Sequence, residues 1–334
     1  MYHRFFKDKN ILILGGSGSI GNKILNSLIP YKPRLIKILS RNKNKQKDLK
    51  KNYLSQKNLQ FILADITDYK LLRKVSQGVD IIFHCASIKQ TVVDLKKVDV
   101  LIKTNILGSL NVRDIAFVNK IPVVISLSSD KAVDPSGLMG LTKNLQERIF
   151  FSKLSRINIS PVRFVSVRLG NVIGSSGSLS QVIINQINQK QPITITDSKM
   201  TRFYISEKEA VEVIFWAVVN GKNGDIIIKK MKSAKTISIV NAFLSIYKKT
   251  HWPINYIGVR HQEKLHDYLI FQDELTRIKE LDNYYIILPA DSELINSKTS
   301  HLNLKMDRFY SNNKRNFFTQ NELQKYIEKF IQPI

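Results

Sequence analysis

Side chains able to exchange protons are concentrated in residues 126–143, with the sequence SLSSDKAVDPSGLMGLTK. A hydroxyl, a carboxylate and an amine follow one another there at Ser129, Asp130 and Lys131, and Lys143 supplies a second amine. Groups of these types can give protons to a bound ligand and take protons from it. Ser, Asp and Pro are also common in ordinary loops, so the hypothesis of a catalytic site depends on the rest of the chain.

The elements around this stretch place its side chains at one edge of a predicted sheet. The apolar run Ile121–Ile125 is typical of a buried parallel strand, and the reactive residues follow it closely. A Pro-Ser-Gly turn comes next, and a helix is predicted from Leu138, with Met139 and Lys143 on one face. Because ligands of open α/β sheets bind outside the carboxyl ends of the strands, we expect these groups to converge on a ligand.

A glycine-rich turn near the start of the chain predicts a dinucleotide site. The apolar strand Asn10–Leu14 is followed by GGSGSIG and then by the helical pattern Ile20–Leu28. Glycines at this spacing allow a tight turn and a close approach of the backbone to a pyrophosphate, which the helix N-terminus also attracts. The residues of the turn predicted to contact the cofactor are Gly15, Ser17, Gly18, Ser19, Ile20 and Gly21.

The ends of the next strands favour NADP over NAD as the cofactor. The second strand, Leu35–Leu39, ends in Ser40 and Arg41, with Lys43 nearby, where an NAD enzyme usually carries an acidic residue. An arginine at this point can pair with the additional phosphate of NADP. Further cofactor contacts are expected where the third and fourth strands end, at Asp65, Ile66, Cys85, Ala86 and Ser87.

Composition narrows the class of protein. With 334 residues, 43% of them hydrophobic, the chain can bury a large core in two lobes. A single cysteine, Cys85, excludes an internal disulfide, and the six scattered histidines show no metal-ligand spacing, so no metal site is expected. The chain has neither a signal-peptide pattern nor 18 uninterrupted apolar residues, which predicts a soluble cytoplasmic protein without a membrane span.

The net charge of +25 raises the question of anionic partners. Lysines are spread along the whole chain, with one dense run at Arg41–Lys51, and no DNA- or RNA-binding motif accompanies them. Solvated lysine faces, or anionic nucleotide ligands or membrane surfaces, therefore explain the charge better than nucleic acid, which we do not expect as a partner.

Strands alternate with helices through the first half of the chain, which predicts an α/β fold with a doubly wound parallel sheet. We expect an NADP-binding Rossmann domain at residues 1–171, with 206–230 returning to it. Residues 172–205 and 231–334 are expected to form a smaller substrate-binding lobe with a C-terminal extension. The helix after Ser206 carries the capping pattern Ser-Glu-Lys-Glu.

Several sequence blocks resemble a known family. The glycine-rich start, Asn105 in its TNxxG context, and Ser129 with Lys143 are similar to extended short-chain dehydrogenase/reductases. Within that superfamily the blocks SSDKAV, RLGNVIGSSGS, MTRFYI and RHQEKLHD resemble UDP-N-acetylglucosamine 4,6-dehydratases of surface-polysaccharide synthesis. The resemblance extends from about residue 6 to residue 285 and is greatest to the soluble branch that inverts carbon 5.

The resemblance implies a role for each matching residue. It implies that Ser129 binds the sugar near carbon 4, Asp130 serves the hydroxyl that leaves carbon 6, and Lys131 serves the proton of carbon 5. A lysine base requires a pKa lowered towards neutrality. Asn105 and Lys143 would bind NADP, the latter at the nicotinamide ribose, and relatives form homo-oligomers, commonly hexamers. The residues expected to bind the UDP-sugar are Lys89, Asn171, Arg202, Arg260 and Glu263.

Two positions depart from the family pattern. Met139 stands where the superfamily has the tyrosine of YxxxK, and methionine has no proton to exchange, so Asp130 or Lys131 acting through a water are candidates for the missing base. Gln262 stands where many relatives have glycine before Glu-Lys. Two alternative functions remain open: a UDP-sugar 4-epimerase, which is a different enzyme on the same scaffold, and a non-catalytic NADP-binding homologue, which Met139 suggests.

Overall fold

The computed structural model describes residues 2–89, 98–151, 162–290 and 305–329. Its strands are β1 (Asn10–Leu14), β2 (Leu35–Ser40), β3 (Leu59–Leu63), β4 (Ile81–His84), β5 (Val123–Ser129), β6 (Arg163–Leu169), β7 (Asn171–Ile173), β8 (Ile193–Ile195), β9 (Thr201–Ser206), β10 (Ile226–Lys229), β11 (Ser233–Lys235), β12 (Ile254–Tyr256), β13 (Ile278–Glu280) and β14 (Tyr284–Ile287). Its helices are α1 (His3–Phe6), α2 (Ser19–Leu28), α3 (Lys43–Lys51), α4 (Tyr69–Val75), α5 (Val98–Ile102), α6 (Gly108–Val118), α7 (Leu138–Phe151), α8 (Leu179–Asn188), α9 (Glu207–Asn220), α10 (Thr236–Ile246) and α11 (Gln320–Glu328).

A nine-stranded sheet forms the centre of the protein, with the strand order β13-β14-β10-β6-β5-β4-β1-β2-β3. The strands from β10 to β3 are parallel to one another, whereas β14 is antiparallel to β10 and β13 is antiparallel to β14. The predicted α/β fold with a parallel sheet is confirmed.

Both faces of the sheet are covered by helices, as the continuous apolar strands require. Along β1, Ile11 and Ile13 contact one hydrophobic cluster, which contains side chains of α2 and α9. Leu12 and Leu14 contact another, which contains side chains of α4, α6 and α7. The alternation follows from the two-residue repeat of a strand. Helix α7 packs on the second of these faces and contacts β5.

A smaller set of elements follows β6 and forms a third hydrophobic cluster. It contains a sheet of order β11-β9-β7, a parallel pair of β8 and β12, and the helices α8, α10 and α11. Ser206 caps α9 through the predicted capping box with Glu209. A hydrogen bond from Tyr326 to Glu209 then joins α11 to the start of α9.

The sheet membership of some segments differs from the expected division. β10, which lies within the expected returning segment 206–230, pairs in parallel with β6 in the main sheet. Residues 278–287 were assigned to the substrate lobe, but β13 and β14 extend the main sheet beyond β10. The apolar strand β14 is buried by this antiparallel pairing, a long-range contact that its local sequence pattern does not reveal.

Candidate active site

The glycine turn predicted to bind a dinucleotide is built by close backbone approaches. Gly15 has φ +79°, and a Cβ atom on it would lie 2.7 Å from the backbone nitrogen of Ala86. A Cβ atom on Gly21 would lie 2.5 Å from the carbonyl oxygen of Gly15. Helix α2 begins after Gly18 without a side-chain cap, so its first-turn N–H groups face the turn with the positive end of the helix dipole.

The other predicted residues of the turn differ in their surroundings. Ser17 is half-buried, and Ile20 packs against the sheet. Ser19 Oγ accepts a hydrogen bond of 2.9 Å from the backbone N–H of Ser176, which joins the turn to the loop after β7.

Arg41 and Asp65 lie together at the ends of β2 and β3. Arg41 Nη1 donates a 3.2 Å hydrogen bond to Thr104 Oγ1 and lies 3.6 Å from Asp65 Oδ2. Ser40 is buried, and its hydroxyl has no partner among the described residues, while Lys43 is exposed. These neighbouring positions form a basic, partly open edge where the ribose phosphate was expected.

Asn105 acts as a brace inside the protein. It is fully buried in a π-helical turn over residues 103–107 between α5 and α6. Its Oδ1 accepts from Ile88 N (2.8 Å), and its Nδ2 donates to Ile88 O (3.1 Å) and Thr142 Oγ1 (3.0 Å). Because these bonds use the whole carboxamide, the structure gives Asn105 the task of positioning the segment after β4. That segment contains the predicted contacts Cys85, Ala86 and Ser87, and the buried Ile66 packs against Gly108.

The carboxyl end of β5 brings the predicted catalytic residues together. Ser129 Oγ donates a 2.8 Å hydrogen bond to Asp130 Oδ1. Lys131 Nζ donates to Asp130 Oδ1 (3.1 Å), Asp267 Oδ2 (3.1 Å) and Asn171 Oδ1 (3.3 Å). The three N–H groups of the ammonium therefore have three acceptors, two of them carboxylates.

The two carboxyl groups of this cluster have opposite pKa shifts. Burial raises the pKa of Asp130, which is fully buried, and the charge of Asp267 adds to the rise although Lys131 and Ser129 oppose it. Burial also acts to raise the pKa of Asp267, but the cations of Lys131, Arg202 and Lys264 outweigh it and lower that pKa to about 2. Asp130 is thus the group that can carry a proton, and Asp267 is a permanent anion.

The pKa of Lys131 differs from the sequence expectation. Burial acts to lower it, but the carboxylates of Asp130 and Asp267 outweigh burial, so that the pKa is raised rather than lowered. The sequence did not indicate a second carboxylate beside Lys131, because Asp267 lies 136 positions further along the chain. In this arrangement Lys131 is an ammonium ion. Protonation of Asp130 would remove one of the two neighbouring negative charges and would so favour the neutral amine of Lys131.

A small pocket opens to solvent beside the cluster. Met139 is buried and lines this pocket together with Lys131, Arg202 and Asp267. A Cβ atom on Gly140 would overlap the carbonyl oxygen of Lys131, so glycine is what lets α7 approach the cluster so closely. The thioether of Met139 is an apolar part of a wall to which five charged side chains also contribute: Lys131, Arg202, Glu263, Lys264 and Asp267.

Lys143 is buried one turn after Met139 on α7. Its Nζ donates to Leu127 O and to Gln146 Oε1, both at 2.9 Å. Burial lowers its pKa to about 8, and Lys143 contributes to lowering the pKa of the buried His84 to about 3. Burial raises the pKa of Cys85 to about 12, so its thiol is not ionised near neutral pH.

Arg202 lines the pocket, but its guanidinium nitrogens all contact acceptors of the protein. Its Nη1 donates to the carbonyl oxygens of Thr201 (2.8 Å) and Leu265 (3.1 Å). Its Nη2 donates to Lys264 O (2.8 Å) and Glu263 Oε1 (3.3 Å), and Nε lies 3.3 Å from Asp267 Oδ2. The guanidinium therefore organises residues 263–267, and its predicted contact with phosphate would require some of these bonds to open.

The remaining predicted substrate residues are not gathered into the cluster. Lys89 and Arg260 are exposed, and Glu263 Oε2 is a buried acceptor without a partner among the described residues. Gln262 has φ +71°, so the position where relatives were expected to carry glycine is in the left-handed conformation here as well. Its carbonyl accepts a hydrogen bond from Ser136 Oγ at 3.1 Å, which joins this loop to the turn before α7.

Asp267 is the residue of this site that sequence reasoning missed. It ends the block RHQEKLHD, in which only Arg260 and Glu263 were assigned roles.

Within the described ranges, no group of three or more His, Cys, Asp or Glu side chains could hold a metal ion. None of the helices described is long and apolar enough to cross a membrane.

Comparison with known proteins identifies relatives over most of the chain. Residues 11–289 match the family described as polysaccharide biosynthesis protein. A UDP-glucose 4-epimerase of Rickettsia canadensis is 35% identical over 295 residues, which cover 87% of this chain and 86% of that protein. The structure of Pen from Bacillus thuringiensis has a TM-score of 0.90 at 30% identity and covers 99% of this chain and 100% of its own.

A more distant likeness concerns the fold. The dTDP-glucose 4,6-dehydratase of Streptomyces venezuelae, solved with NAD bound, has a TM-score of 0.70 at 16% identity. The match covers 77% of this chain and 86% of that enzyme. At this identity the likeness supports the Rossmann-type architecture described above.

Proposed function

The chain belongs to the polysaccharide biosynthesis protein family, among the nucleotide-sugar dehydratases and epimerases, and from this we propose that it is a UDP-N-acetylglucosamine 4,6-dehydratase. The product would be a UDP-4-keto-6-deoxy-hexosamine, with inversion at carbon 5, for surface-polysaccharide synthesis. It remains a prediction that the chain forms homo-oligomers, which are commonly hexamers among relatives. It also remains a prediction that the chain works in the cytoplasm.

The observation that supports a dehydratase is the acid–base cluster at Asp130. Removing water across carbons 5 and 6 requires an acid for the leaving hydroxyl and a base for the carbon-5 proton at the same time. Asp130 is buried with a raised pKa and is linked to Lys131 by a 3.1 Å hydrogen bond. A 4-epimerase has no leaving group at carbon 6, so this pair would have no task in it.

The residues around the glycine turn fit a dinucleotide. The space beside Gly15 and Ala86 would be filled by any side chain at Gly15, and the uncapped first turn of α2 faces it. Arg41 would pair with the ribose phosphate, which favours NADP, and Lys143 would bind the nicotinamide ribose. NADP, when bound, supplies the acceptor and then the donor of the hydride that moves from carbon 4 to carbon 6.

The elimination step can be assigned to this chain's own side chains. The protonated carboxyl of Asp130 gives its proton to the carbon-6 oxygen, and Ser129 keeps that carboxyl oriented by its 2.8 Å hydrogen bond. The neutral amine of Lys131 takes the carbon-5 proton, the electrons of that C–H bond form the C5=C6 double bond, and the C6–O bond breaks to release water. Met139 cannot exchange a proton, so Asp130 or Lys131 acting through a water would deprotonate the 4-hydroxyl.

A UDP-sugar 4-epimerase is the second candidate function. It is favoured by the curated names of relatives such as the UDP-glucose 4-epimerase of Rickettsia canadensis. The two functions give different products from one substrate, so a single incubation separates them.

Proton NMR of UDP-N-acetylglucosamine incubated with the protein and NADP in deuterated water tests the proposal. We expect a 4-keto-6-deoxy sugar with deuterium at carbon 5, because inversion requires reprotonation from solvent on the opposite face. The hydrogen delivered to carbon 6 should come from the substrate's own carbon 4. Formation of UDP-N-acetylgalactosamine would instead establish the epimerase, and an unchanged sugar would indicate a binding protein.

Lys131→Ala and Lys230→Ala form a matched pair for the same assay. Lys131→Ala should lower turnover by about 10²- to 10⁴-fold, the usual contribution of a positioned general base. Lys230 forms a 2.6 Å ion pair with Glu280 outside the site, so its replacement should leave turnover unchanged. Full activity of Lys131→Ala would exclude the role given to this lysine.

A further inference from the structure

Asp267 is fixed in place by the smaller lobe, far along the chain from the catalytic stretch. Its side chain is buried, and Oδ2 lies 3.1 Å from Lys131 Nζ and 3.3 Å from Arg202 Nε. Its backbone N–H donates to Ser311 Oγ (2.8 Å), and the N–H of Ser311 donates to its carbonyl (2.9 Å). Ser311 Oγ also lies 2.7 Å from Thr201 Oγ1, so β9 and the C-terminal segment both determine where the carboxylate sits.

We propose that Asp267 is a positioning residue of the dehydratase proposed above, acting through Lys131 and Asp130. Its carboxylate directs the Lys131 side chain towards Asp130, and its negative charge sets the pH range in which this pair can exchange protons with the sugar. The expected effect on turnover rests on the proposed function. The expected effect on the charge of Lys131 rests on the geometry of three groups, Asp130, Lys131 and Asp267.

The charge of Asp267 acts on both members of the pair in the same direction. A neighbouring anion favours the ammonium form of a lysine and also the protonated form of a carboxyl group, so it raises both pKa values. Asp267 has this effect on Asp130 and on Lys131. Further charged or titratable groups around this cluster are Arg202, Tyr204, Glu263, Lys264, His266 and Tyr268.

The direction of the effect on catalysis follows from these signs. The elimination needs Asp130 with its proton and Lys131 without one, and the population of that state is bell-shaped in pH and centred between the two pKa values. Asp267→Asn removes the anion and lowers both pKa values, so the whole bell should move to lower pH. Loss of packing or of fold would reduce activity at every pH without moving the bell.

The test compares pH profiles of kcat for UDP-N-acetylglucosamine in wild type, Asp267→Asn, Asp267→Glu and Asp225→Asn. We expect the Asp267→Asn profile to move by about one pH unit to the acid side, the lower limit for a charge at this distance, with KM little changed. Asp267→Glu keeps the charge and should restore the position of the profile. Asp225 is another buried aspartate, held by Lys222 away from the site, and Asp225→Asn should leave the profile in place.

A second measurement needs no turnover. The rate of acetylation of Lys131 by acetic anhydride as a function of pH, followed by peptide mass spectrometry, reports the pKa of this amine directly. We expect the midpoint for Lys131 in wild type to lie above that of a free lysine side chain in a model peptide, and to fall in Asp267→Asn. A wild-type midpoint at or below that of the model peptide overturns the proposal even if the variant does not fold.

The two assays distinguish failure of this inference from failure of the proposed function. Turnover with an unmoved profile in Asp267→Asn would exclude the role of Asp267 while leaving the dehydratase intact. A protein that forms no 4-keto-6-deoxy product, but in which the Lys131 midpoint falls on Asp267→Asn, would exclude the dehydratase and support the electrostatic part.

Discussion

His84, at the end of β4, is a neutral imidazole whose hydrogen can be placed. Ser109 Oγ donates to the carbonyl oxygen of Asn105 (2.7 Å), so it must accept from His84 Nε2 at 3.0 Å. Nε2 therefore carries the hydrogen, and Nδ1 is buried without a partner among the described residues.

The pKa of His84 predicts a loss of stability in acid. Burial, assisted by Lys143, lowers the folded-state pKa to about 3 from an unfolded value of 6.5. The contribution to the free energy of unfolding is complete above pH 6.5 and is lost as the pH falls towards 3, by at most about 1.4 kcal/mol per pH unit. In urea unfolding, the stability of the wild type should therefore fall by about 2 kcal/mol more between pH 7 and pH 5 than the stability of His84→Gln does.

The exposed His251 supplies the control for this measurement. His251→Gln shows how far loss of a histidine as such changes the pH dependence, since His251 lies on the surface, outside the buried contacts of His84 with Ser109 and Lys143. If His84→Gln also keeps the wild-type dependence, the assignment of a neutral buried imidazole is wrong.

Individual site residues were predictable where they are close in sequence. Ser129, Asp130 and Lys131 are neighbours, and the spacing of Met139 and Lys143 on a helix follows from its period. Their meeting with Asp267 depends on a contact across 136 positions, for which the local pattern holds no signal. The pKa of Lys131 was misjudged for the same reason, since its sign is decided by the second carboxylate.

A buried ion triad of Arg168, Glu147 and Glu274 links β6, α7 and the segment that contains Glu274. Arg168 of β6 makes two hydrogen bonds of 2.7–2.8 Å to Glu147 of α7 and two of 2.7 Å to Glu274. A fifth bond, of 3.2 Å, goes to the carbonyl oxygen of Leu269, only two residues after Asp267. The triad therefore fixes α7 and the loop that carries Asp267 to the central sheet.

Removing the arginine alone should be costly, because two buried carboxylates would remain without a partner. Arg168→Met is expected to lower the free energy of unfolding by about 3–5 kcal/mol. The triple variant Arg168→Met, Glu147→Gln, Glu274→Gln should recover part of this loss, since it buries no unpaired charge. Urea unfolding measures both effects.

An exposed pair provides the comparison. Lys51 and Asp48 lie 3.3 Å apart on the surface of α3, so Lys51→Met should change stability by about 0–1 kcal/mol. If the triple variant is as unstable as Arg168→Met, loss of packing rather than unpaired charge would be the cause.

The elements themselves were predicted best where the apolar repeat is strong. β1 and the start of α7 lie where the sequence pattern places them, and β2 extends one residue further, to Ser40. The π-helical turn over residues 103–107 was not foreseen, because its side-chain pattern differs little from that of a regular helix. It places Asn105 against both Ile88 and Thr142, and so links the segment after β4 to α7 through one carboxamide.

At the scale of the whole molecule, the site is completed by two bodies of structure. β5 and α7 supply Ser129, Asp130, Lys131 and the wall at Met139, whereas β9 and the loop after β12 supply Arg202 and Asp267. Hydrogen bonds between Lys131 and both Asn171 and Asp267 cross from the central sheet to the smaller lobe. Any movement of that lobe would change the charges around Lys131, which ties the chemistry of the site to the packing of the fold.

The net charge of +25 predicts how the stability of the whole protein responds to salt. Self-repulsion of a strongly charged surface destabilises the compact state, and salt screens it as the Debye length falls from about 30 Å at 0.01 M to about 8 Å at 0.15 M. Screening also weakens surface ion pairs, but each of these contributes only about 0–1 kcal/mol. We therefore expect the melting temperature to rise with added sodium chloride.

Paired variants on α3 make this test specific to charge. Lys47 and Lys50 are exposed, and replacing both with glutamate changes the net charge from +25 to +21, because each substitution removes two positive units. The double glutamate variant should show a smaller rise in melting temperature between low and high salt than the wild type, while Lys47→Arg, Lys50→Arg should respond as the wild type does. Calorimetric scans at several salt concentrations measure the rise. A melting temperature that falls with salt would mean that ion pairs such as Lys232–Glu322, at 2.6 Å, outweigh the repulsion among the lysines.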